Sequence, residues 1–285
     1  MQKKLISISG NSQKLDGGAM FGHVPKAMWQ QWILPDEHNR ITLSCRALLV
    51  QEPQRNILLE AGIGAFFAPN LQERYGITSS VHVLLQSLAQ HGLRPEDIDA
   101  VIISHMHFDH AGGLLSAWQP DQPLSLVFPR AKIIVGAEAW QRALHPHVRD
   151  KASFVTELNE LLSKSPQLTI VEGDHCEWLG DEYRFWFSHG HTPGLMHTII
   201  QRDQGGPVIF ASDLIPGVPW IHLPVTMGYD RAPELLINEK QVLLDDAIKT
   251  NAILFYTHDP VTAYSGVERD ARGRYGATVI ASDLL

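Results

Sequence analysis

The chain has 285 residues, of which 44% are hydrophobic and 19% are charged, and its formal net charge is −8. This composition is typical of a folded protein with a large core, and its acidic balance disfavours nucleic acid or an anionic membrane as a partner. No segment approaches the roughly 20 apolar residues of a membrane span or has a secretory leader, so we expect a cytoplasmic protein.

Apolar runs bounded by turn residues predict a series of strands separated by helices. The predicted strands cover residues 42–51, 55–60, 100–104, 132–135, 168–171, 183–188, 197–201, 207–211 and 252–256. Helices are predicted over 80–91, 111–118, 136–144, 153–163 and 233–249, and the last is the clearest because its apolar residues recur near helical spacing. No Ser/Gly linker interrupts this order, which favours a single domain over residues 1–285.

The segment His105-Met-His107-Phe-Asp109-His110 places several potential metal ligands directly after the predicted strand 100–104. Residues two apart on an extended backbone point the same way, so His105 and His107 can hold one ion together. Asp109 and His110 lie where the backbone turns into the next helix, and they can reach a second ion. Imidazole and carboxylate ligands suit zinc and related metals. The alternative is a histidine-rich surface turn, since the chain has 15 His.

Further ligand types lie downstream, each at the carboxyl end of an apolar run. His191 follows the run 183–187, Asp213 follows the strand 207–212, and His258 follows the strand 252–256. Loops at one edge of a sheet can bring such residues together. Cys45 and Cys176 form no CxxC pair, so we expect buried thiols rather than ligands.

The order and type of these ligands resemble those of the dinuclear metallo-β-lactamase-fold hydrolases, over residues 43–259. The resemblance implies an α/β protein, an αββα four-layer sandwich of two mixed sheets flanked by helices. It implies a first divalent ion on His105, His107 and His191, a second on Asp109, His110 and His258, and Asp213 as the bridge between them. Zinc is the expected metal, and iron or manganese is compatible with the same ligands.

The resemblance also implies a mechanism. A hydroxide that bridges the two metals would attack the carbonyl of a cyclic ester, because coordination to metal makes water nucleophilic at neutral pH. Asp109 and Asp213 would act as catalytic residues that orient this nucleophile or relay its proton. No Gly-x-Ser-x-Gly elbow is present, so a serine nucleophile is not expected.

The segment from Asp16 to Lys26 is similar to one in the quorum-quenching lactonases and their relative methyl parathion hydrolase. There it forms a long loop over the active site, so we expect residues 11–40 to form such a loop. Met20 and Phe21 would then contact an acyl chain. The alternative is a glycine-rich turn that places both side chains in the core.

The segment 215–226 is the candidate for the opposite wall of the substrate site. It would contribute Trp220, His222 and Leu223 to substrate binding, although His222 also fits a surface position without a ligand. Some acyl-homoserine lactonases place a tyrosine where this chain has Pro216, and Tyr229 is the nearest later candidate, with a packing role as its alternative.

Glu60 stands where members of the family usually carry an aspartate that supports the ligand histidines from outside the metal shell. Glutamate keeps the negative charge of that residue. Its carboxylate must be repositioned by one methylene group to reach the same histidine.

Together these features predict a metal-dependent hydrolase that opens lactones, with N-acyl homoserine lactones as the expected substrates and quorum quenching as the role. An organophosphate triester hydrolase and a glyoxalase-type thiolester hydrolase remain open, because both would use the same ligands. The non-enzymatic alternative is a binding protein of this fold without metals. The expected partner is a small molecule rather than nucleic acid or membrane, and a homodimer stays open.

Overall fold

The computed structural model describes residues 3–280. The strands are β1 (Lys4–Asp16), β2 (Arg40–Gln51), β3 (Asn56–Leu59), β4 (Ala100–Ile103), β5 (Lys132–Gly136), β6 (Leu168–Val171), β7 (Tyr183–Ser188), β8 (Leu195–Ile200), β9 (Val208–Phe210), β10 (Ile253–Phe255), β11 (Tyr264–Arg269) and β12 (Tyr275–Thr278). The α-helices are α1 (Gly17–Phe21), α2 (Lys26–Trp29), α3 (Pro69–Arg74), α4 (Val83–Gln90), α5 (Phe108–Ala111), α6 (Ala137–Leu144), α7 (Thr156–Ser163) and α8 (Pro233–Thr250). Short 3₁₀ turns occupy Pro95–Asp97, Gly112–Leu114, Lys151–Ser153, Ser212–Leu214 and Val218–Ile221.

The described chain divides into two compact units. Unit 1 contains the residues up to Lys14 together with Ser44–Glu172, and unit 2 contains Leu15–Leu43 together with the residues from Gly173 onward. Each unit has its own hydrophobic core. None of the described helices is both long enough and apolar enough to cross a membrane.

The first sheet has the strand order β1-β2-β3-β4-β5-β6. Strands β2 and β3 pair antiparallel, whereas β3, β4, β5 and β6 are parallel neighbours. Every residue of β4 is buried, as expected for a parallel strand covered on both faces. Because Leu59 pairs with Ile102, the carboxyl ends of β3 and β4 lie at the same edge of this sheet. Glu60 and the segment 105–110 follow directly from those ends.

The second sheet has the order β12-β11-β10-β9-β8-β7 and is also mixed. Strands β9 and β10 form its parallel pair, with Phe210 opposite Phe255, and the other neighbours are antiparallel. The crossover between β9 and β10 contains α8, which begins at Pro233, where the missing N–H of proline is tolerated. The helix ends at Asn251, which adopts the left-handed conformation with φ of 52°.

The predicted α/β fold with two mixed sheets is confirmed, and the predicted strands 168–171 and 183–188 match β6 and β7. The helix predicted over 111–118 is wrong, because α5 and one 3₁₀ turn end at Leu114. Packing explains the difference. Gly113 donates its N–H to the carbonyl of Gly62, and a Cβ at Gly113 would lie 2.0 Å from the carbonyl oxygen of Ala61.

Residues 11–40, expected to form a loop, contain the end of β1, helices α1 and α2, and the first residue of β2. Helix α1 begins where the Asp16 side chain accepts a hydrogen bond from the Ala19 N–H at 2.8 Å. Asp16 also accepts a hydrogen bond from the Asn39 side chain at 2.8 Å, within the same unit. The single-domain interpretation of residues 1–285 stays a prediction, and both of its bounds lie outside the described residues.

Candidate metal centre

Unit 1 brings His105 and His107 together at the end of β4. His105 Nε2 and His107 Nδ1 are 2.9 Å apart, and both side chains are buried. The other ring nitrogen of His105 lies 2.9 Å from the Ser104 hydroxyl. Two nitrogens bound to one tetrahedral zinc ion are separated by about 3.3 Å. The two imidazole nitrogens are therefore close enough to bind one ion together.

His110 is held by Glu60, the residue that follows β3. His110 Nδ1 donates to Glu60 Oε2 at 2.6 Å, and Glu60 Oε1 accepts from the Ser104 N–H at 3.0 Å. Neither His110 nor Glu60 is exposed, and Glu60 has a left-handed backbone with φ of 69°. A proton held on Nδ1 leaves the lone pair of Nε2 to bind a metal. The longer glutamate thus makes the supporting contact expected of aspartate.

Asp109 is positioned by Gln13 from strand β1. Gln13 Nε2 donates to Asp109 Oδ2 at 2.6 Å, while Asp109 Oδ1 is 3.8 Å from Nε2 of His110. Both Gln13 and Asp109 are buried. One carboxylate oxygen is fixed by the amide, and the other faces the adjacent imidazole. Sequence reasoning missed Gln13, because a lone glutamine far from the motif has no distinguishing pattern.

Unit 2 brings Asp213 between His191 and His258. Asp213 Oδ2 is 3.2 Å from His191 Nε2, and Asp213 Oδ1 is 3.2 Å from His258 Nε2. All three side chains are buried. Asp213 lies in a 3₁₀ turn just after β9, and His258 follows β10, so the parallel pairing of these strands places both at one edge. Each oxygen of a single carboxylate faces a different imidazole.

Asp230 supports His191 in the same way that Glu60 supports His110. His191 Nδ1 donates to Asp230 Oδ1 at 2.9 Å, and Asp230 Oδ2 accepts from the Met227 N–H at 2.6 Å. Asp230 is only 1% exposed. From the sequence we select the neighbouring Tyr229 as a candidate. Tyr229 is 38% exposed, and its carbonyl accepts a hydrogen bond from the Arg231 side chain. The supporting carboxylate has no local signal that separates it from a turn residue.

Met20, Phe21 and Trp220 are buried in the core of unit 2. The Phe21 ring is stacked between Trp29 at 5.4 Å and Trp220 at 4.6 Å, measured between ring centroids. The indole N–H of Trp220 donates to the carbonyl of Met20 at 2.9 Å. For Met20 and Phe21 this corresponds to the core placement that was the alternative to contact with an acyl chain, and Trp220, expected in the opposite wall, is buried in the same core.

His222 and Leu223 reach the surface of unit 2, unlike Trp220. With Trp32 they line a mainly apolar cavity of about 570 Å³. The ring centroids of His222 and Trp32 are 5.3 Å apart. Partial burial lowers the pKa of His222, and the positive charges of Lys240 and Arg274 lower it further. Pro216 contributes its carbonyl, which accepts from the His258 N–H at 2.9 Å.

The donor set of these residues fits divalent zinc or a related cation. It consists of buried imidazoles and carboxylates, and two of the imidazoles have Nδ1 bound to a carboxylate, which directs Nε2 toward a metal. Both cysteines are buried thiols elsewhere in the chain. Nitrogen and oxygen donors of this kind bind first-row divalent metals rather than calcium or magnesium.

Residues 40–258 match the metallo-beta-lactamase superfamily, and the match covers more than half of the chain. The chain therefore belongs to this superfamily, which confirms the family predicted from the ligand pattern.

Among curated relatives, the chain is 28% identical over 177 residues to N-acyl homoserine lactonase AiiA of Bacillus thuringiensis subsp. kurstaki, a match that covers 62% of each protein. It thus spans less than two thirds of the length of that relative. It is 22% identical over 201 residues to N-acyl homoserine lactonase AttM of Azorhizobium caulinodans, covering 70% of each. The relatives include lactonases, as the N-terminal segment predicted.

Two solved structures share the fold over almost their whole length. A probable metal-dependent hydrolase from Staphylococcus aureus superimposes with a TM-score of 0.85 at 26% identity, covering 98% of both chains. AidC, a dizinc quorum-quenching lactonase in complex with a product, superimposes with a TM-score of 0.78 at 21% identity, covering 98% of this chain and 96% of AidC. At that identity the likeness to AidC shows the fold alone.

Proposed function

We propose that this protein is a metal-dependent hydrolase that binds two divalent cations and opens lactone rings. The observation that carries the proposal is the position of Asp213 between two buried imidazoles. Each of its carboxylate oxygens lies 3.2 Å from the Nε2 atom of a different histidine. A carboxylate in that position is suited to bridging two cations.

In this proposal seven side chains hold the two ions. As the ligand pattern of the superfamily implies, the first ion would bind His105, His107 and His191, the second would bind Asp109, His110 and His258, and Asp213 would bind both. Zinc is the proposed metal, since the donors are nitrogen and oxygen atoms, and iron or manganese would be accepted by the same set. The dizinc lactonase with the same fold supports the number of ions.

The cations would activate water for attack on an ester carbonyl and stabilise the charge that develops on its oxygen. The chain's own residues prepare that chemistry. Glu60 and Asp230 hold the Nδ1 protons of two ligand histidines, so that each Nε2 carries a lone pair. Asp109 and Asp213 are the proposed catalytic residues, because they supply negative charge beside the ions and can accept a proton from the attacking water.

The proposed substrates are lactones with an apolar chain, and N-acyl homoserine lactones are the class that the curated relatives support. The apolar cavity beside His222 and Leu223 offers unit 2 a surface for such a chain. Quorum quenching and a cytoplasmic location complete the proposal. Cys45 and Cys176 are buried and form no disulfide, which is compatible with a reducing compartment.

The test measures metal content and substrate class on one preparation. The protein, purified after growth in zinc-supplemented medium, is analysed for metals and then assayed with N-acyl homoserine lactones, phosphotriesters and glutathione thiolesters. We expect two ions per chain and acid release from the lactones. Asp213→Ala should lose metal and slow turnover by orders of magnitude, whereas His175→Ala, at an exposed histidine, should change neither. A metal-free protein, or turnover of phosphotriesters with no lactone opened, would overturn the proposal.

A further inference from the structure

Helix α8 carries Glu239, a side chain that binds the backbone immediately before His191. Glu239 Oε1 accepts from the His189 N–H at 2.8 Å, and Oε2 accepts from the Gly190 N–H at 2.9 Å. A carboxylate that accepts two consecutive amides fixes the local backbone more firmly than a single hydrogen bond, because both oxygens are committed. The residue that follows those two amides is His191.

Gly190 is also pressed against the start of α8. Its carbonyl accepts from the N–H groups of Arg231 and Ala232, both at 2.8 Å, and a Cβ on Gly190 would lie 2.5 Å from the Cα of Leu236. A glycine is therefore required at this approach. The backbone before His191 is bound to α8 through its donors and to the two residues just before α8 through its acceptor.

The next residue of α8, Lys240, binds a different segment of unit 2. Its ammonium donates to the carbonyls of Trp220 at 3.0 Å, His222 at 3.3 Å and Val225 at 2.5 Å. Three acceptors match the three N–H donors of a lysine. The Lys240 side chain is fully buried, so its removal would leave these carbonyls without their shared donor in a site closed to water.

The segment held by Lys240 leads directly to Asp230. Met227, two residues after Val225, donates its N–H to Asp230 Oδ2, and the other Asp230 oxygen accepts from His191 Nδ1. The same turn is tied to α1, since Gly228 donates to the carbonyl of Ala19 at 2.8 Å. Lys240 thus fixes the segment that carries the carboxylate partner of the His191 ring.

We propose that Glu239 and Lys240 of α8 are positioning residues for His191. Glu239 acts through the backbone that precedes His191, and Lys240 acts through the segment that ends in Asp230. The inference rests on the proposed role of His191 as a metal ligand. Neither Glu239 nor Lys240 is one of the proposed metal ligands. Each acts by limiting the directions in which the imidazole Nε2 can point.

The experiment replaces zinc with cobalt in the full-length protein and measures cobalt affinity and the visible absorption spectrum of the bound ion. Glu239→Gln keeps the size of the side chain and removes one acceptor, and Lys240→Met keeps the aliphatic stem and removes the donors. Two other charged residues of α8 serve as matched controls: Glu234→Gln and Lys249→Met change exposed side chains in its first and last turns.

We expect both test variants to bind the cobalt ion held by His191 about 10 to 100 times less tightly and to change its spectrum, as loss of outer-shell support does at metal sites. The controls should match the unmodified protein. If Lys240→Met does not fold, Glu239→Gln decides alone, since it removes one hydrogen bond and no volume. Variants that lose only thermal stability, with unchanged cobalt affinity and spectrum, would overturn the inference.

His191→Ala separates this result from the proposed function. If that variant binds two cobalt ions with the spectrum of the unmodified protein, His191 is not a ligand and the proposed metal set is wrong. If His191→Ala loses cobalt while Glu239→Gln and Lys240→Met do not, the metal set stands and only the positioning role fails.

Discussion

Asp230→Asn is a sharp test of how this protein prepares a histidine for metal. Asp230 accepts two hydrogen bonds, from His191 Nδ1 at 2.9 Å and from the Met227 N–H at 2.6 Å. Asparagine has the same shape but only one acceptor oxygen. In one orientation its NH₂ group faces the Met227 N–H, and a buried donor loses its partner. That loss destabilises a protein by about 1–3 kcal/mol.

In the other orientation the NH₂ group of the asparagine faces His191 Nδ1. That nitrogen must then accept, so the proton moves to Nε2, the atom that lies 3.2 Å from Asp213 Oδ2. A protonated Nε2 cannot bind a metal. We therefore expect zinc affinity to fall by about 10- to 100-fold, which corresponds to about 1.4–2.7 kcal/mol. Either orientation produces a measurable loss, in stability or in metal affinity.

The assay measures both losses. Urea denaturation of the metal-free variant gives the change in stability, and competition with a zinc chelator gives the change in affinity. Asp181→Asn, at a side chain that is 96% exposed, is the matched control and should alter neither quantity. If Asp230→Asn protein unfolds at the same urea concentration as the unmodified protein and binds zinc equally well, then Asp230 does not direct the His191 ring.

Three further outcomes follow from the packing. Burial lowers the pKa of Lys240 to about 7, so between pH 7 and pH 9 the unfolded chain keeps this proton while the folded protein loses it. The free energy of unfolding, relative to that of Lys240→Met, should therefore rise by up to about 1.4 kcal/mol per pH unit over this range. Below pH 7 the difference should stay level. Urea denaturation at several pH values checks this, and a difference independent of pH would contradict it. Phe21→Ala should destabilise the protein by about 3–5 kcal/mol in the same assay, because the ring is stacked between two tryptophans, and a loss under about 1 kcal/mol would contradict that packing. Gly113→Ala should unfold at a lower temperature, because its Cβ would meet the Ala61 carbonyl, while Gly173→Ala has open space and should not.

The positions of the proposed ligands follow local patterns that the sequence shows. Strand β4 is a short apolar run that is buried throughout, and His105 and His107 follow it with the spacing of an extended backbone. Asp213 and His258 each follow a predicted strand, and the structure shows that these two strands are parallel neighbours. Residues at the carboxyl ends of parallel strands meet at one edge, so the strand prediction together with this pairing brings them close.

The supporting residues could not be predicted, because no local pattern marks them. Gln13 reaches Asp109 from a strand distant in sequence, and Asp230 reaches His191 from a turn. Strand β1 was missed because its sequence, Lys4–Asp16, is largely polar even though several of its side chains are buried. The helix over 111–118 was predicted from apolar content, which takes no account of glycines packed against a neighbouring backbone.

The position of α8 between β9 and β10 has a consequence for how the protein matures. Asp213 and His258 become neighbours only when those strands pair, and the pairing must close a loop that contains the whole helix. Contacts between residues distant in sequence form late, because the chain loses the conformational entropy of the intervening loop before the contacts can stabilise it. Binding of metal by Asp213 and His258 should therefore follow the closure of this crossover, and a chelator added during refolding should leave a folded second sheet without bound metal.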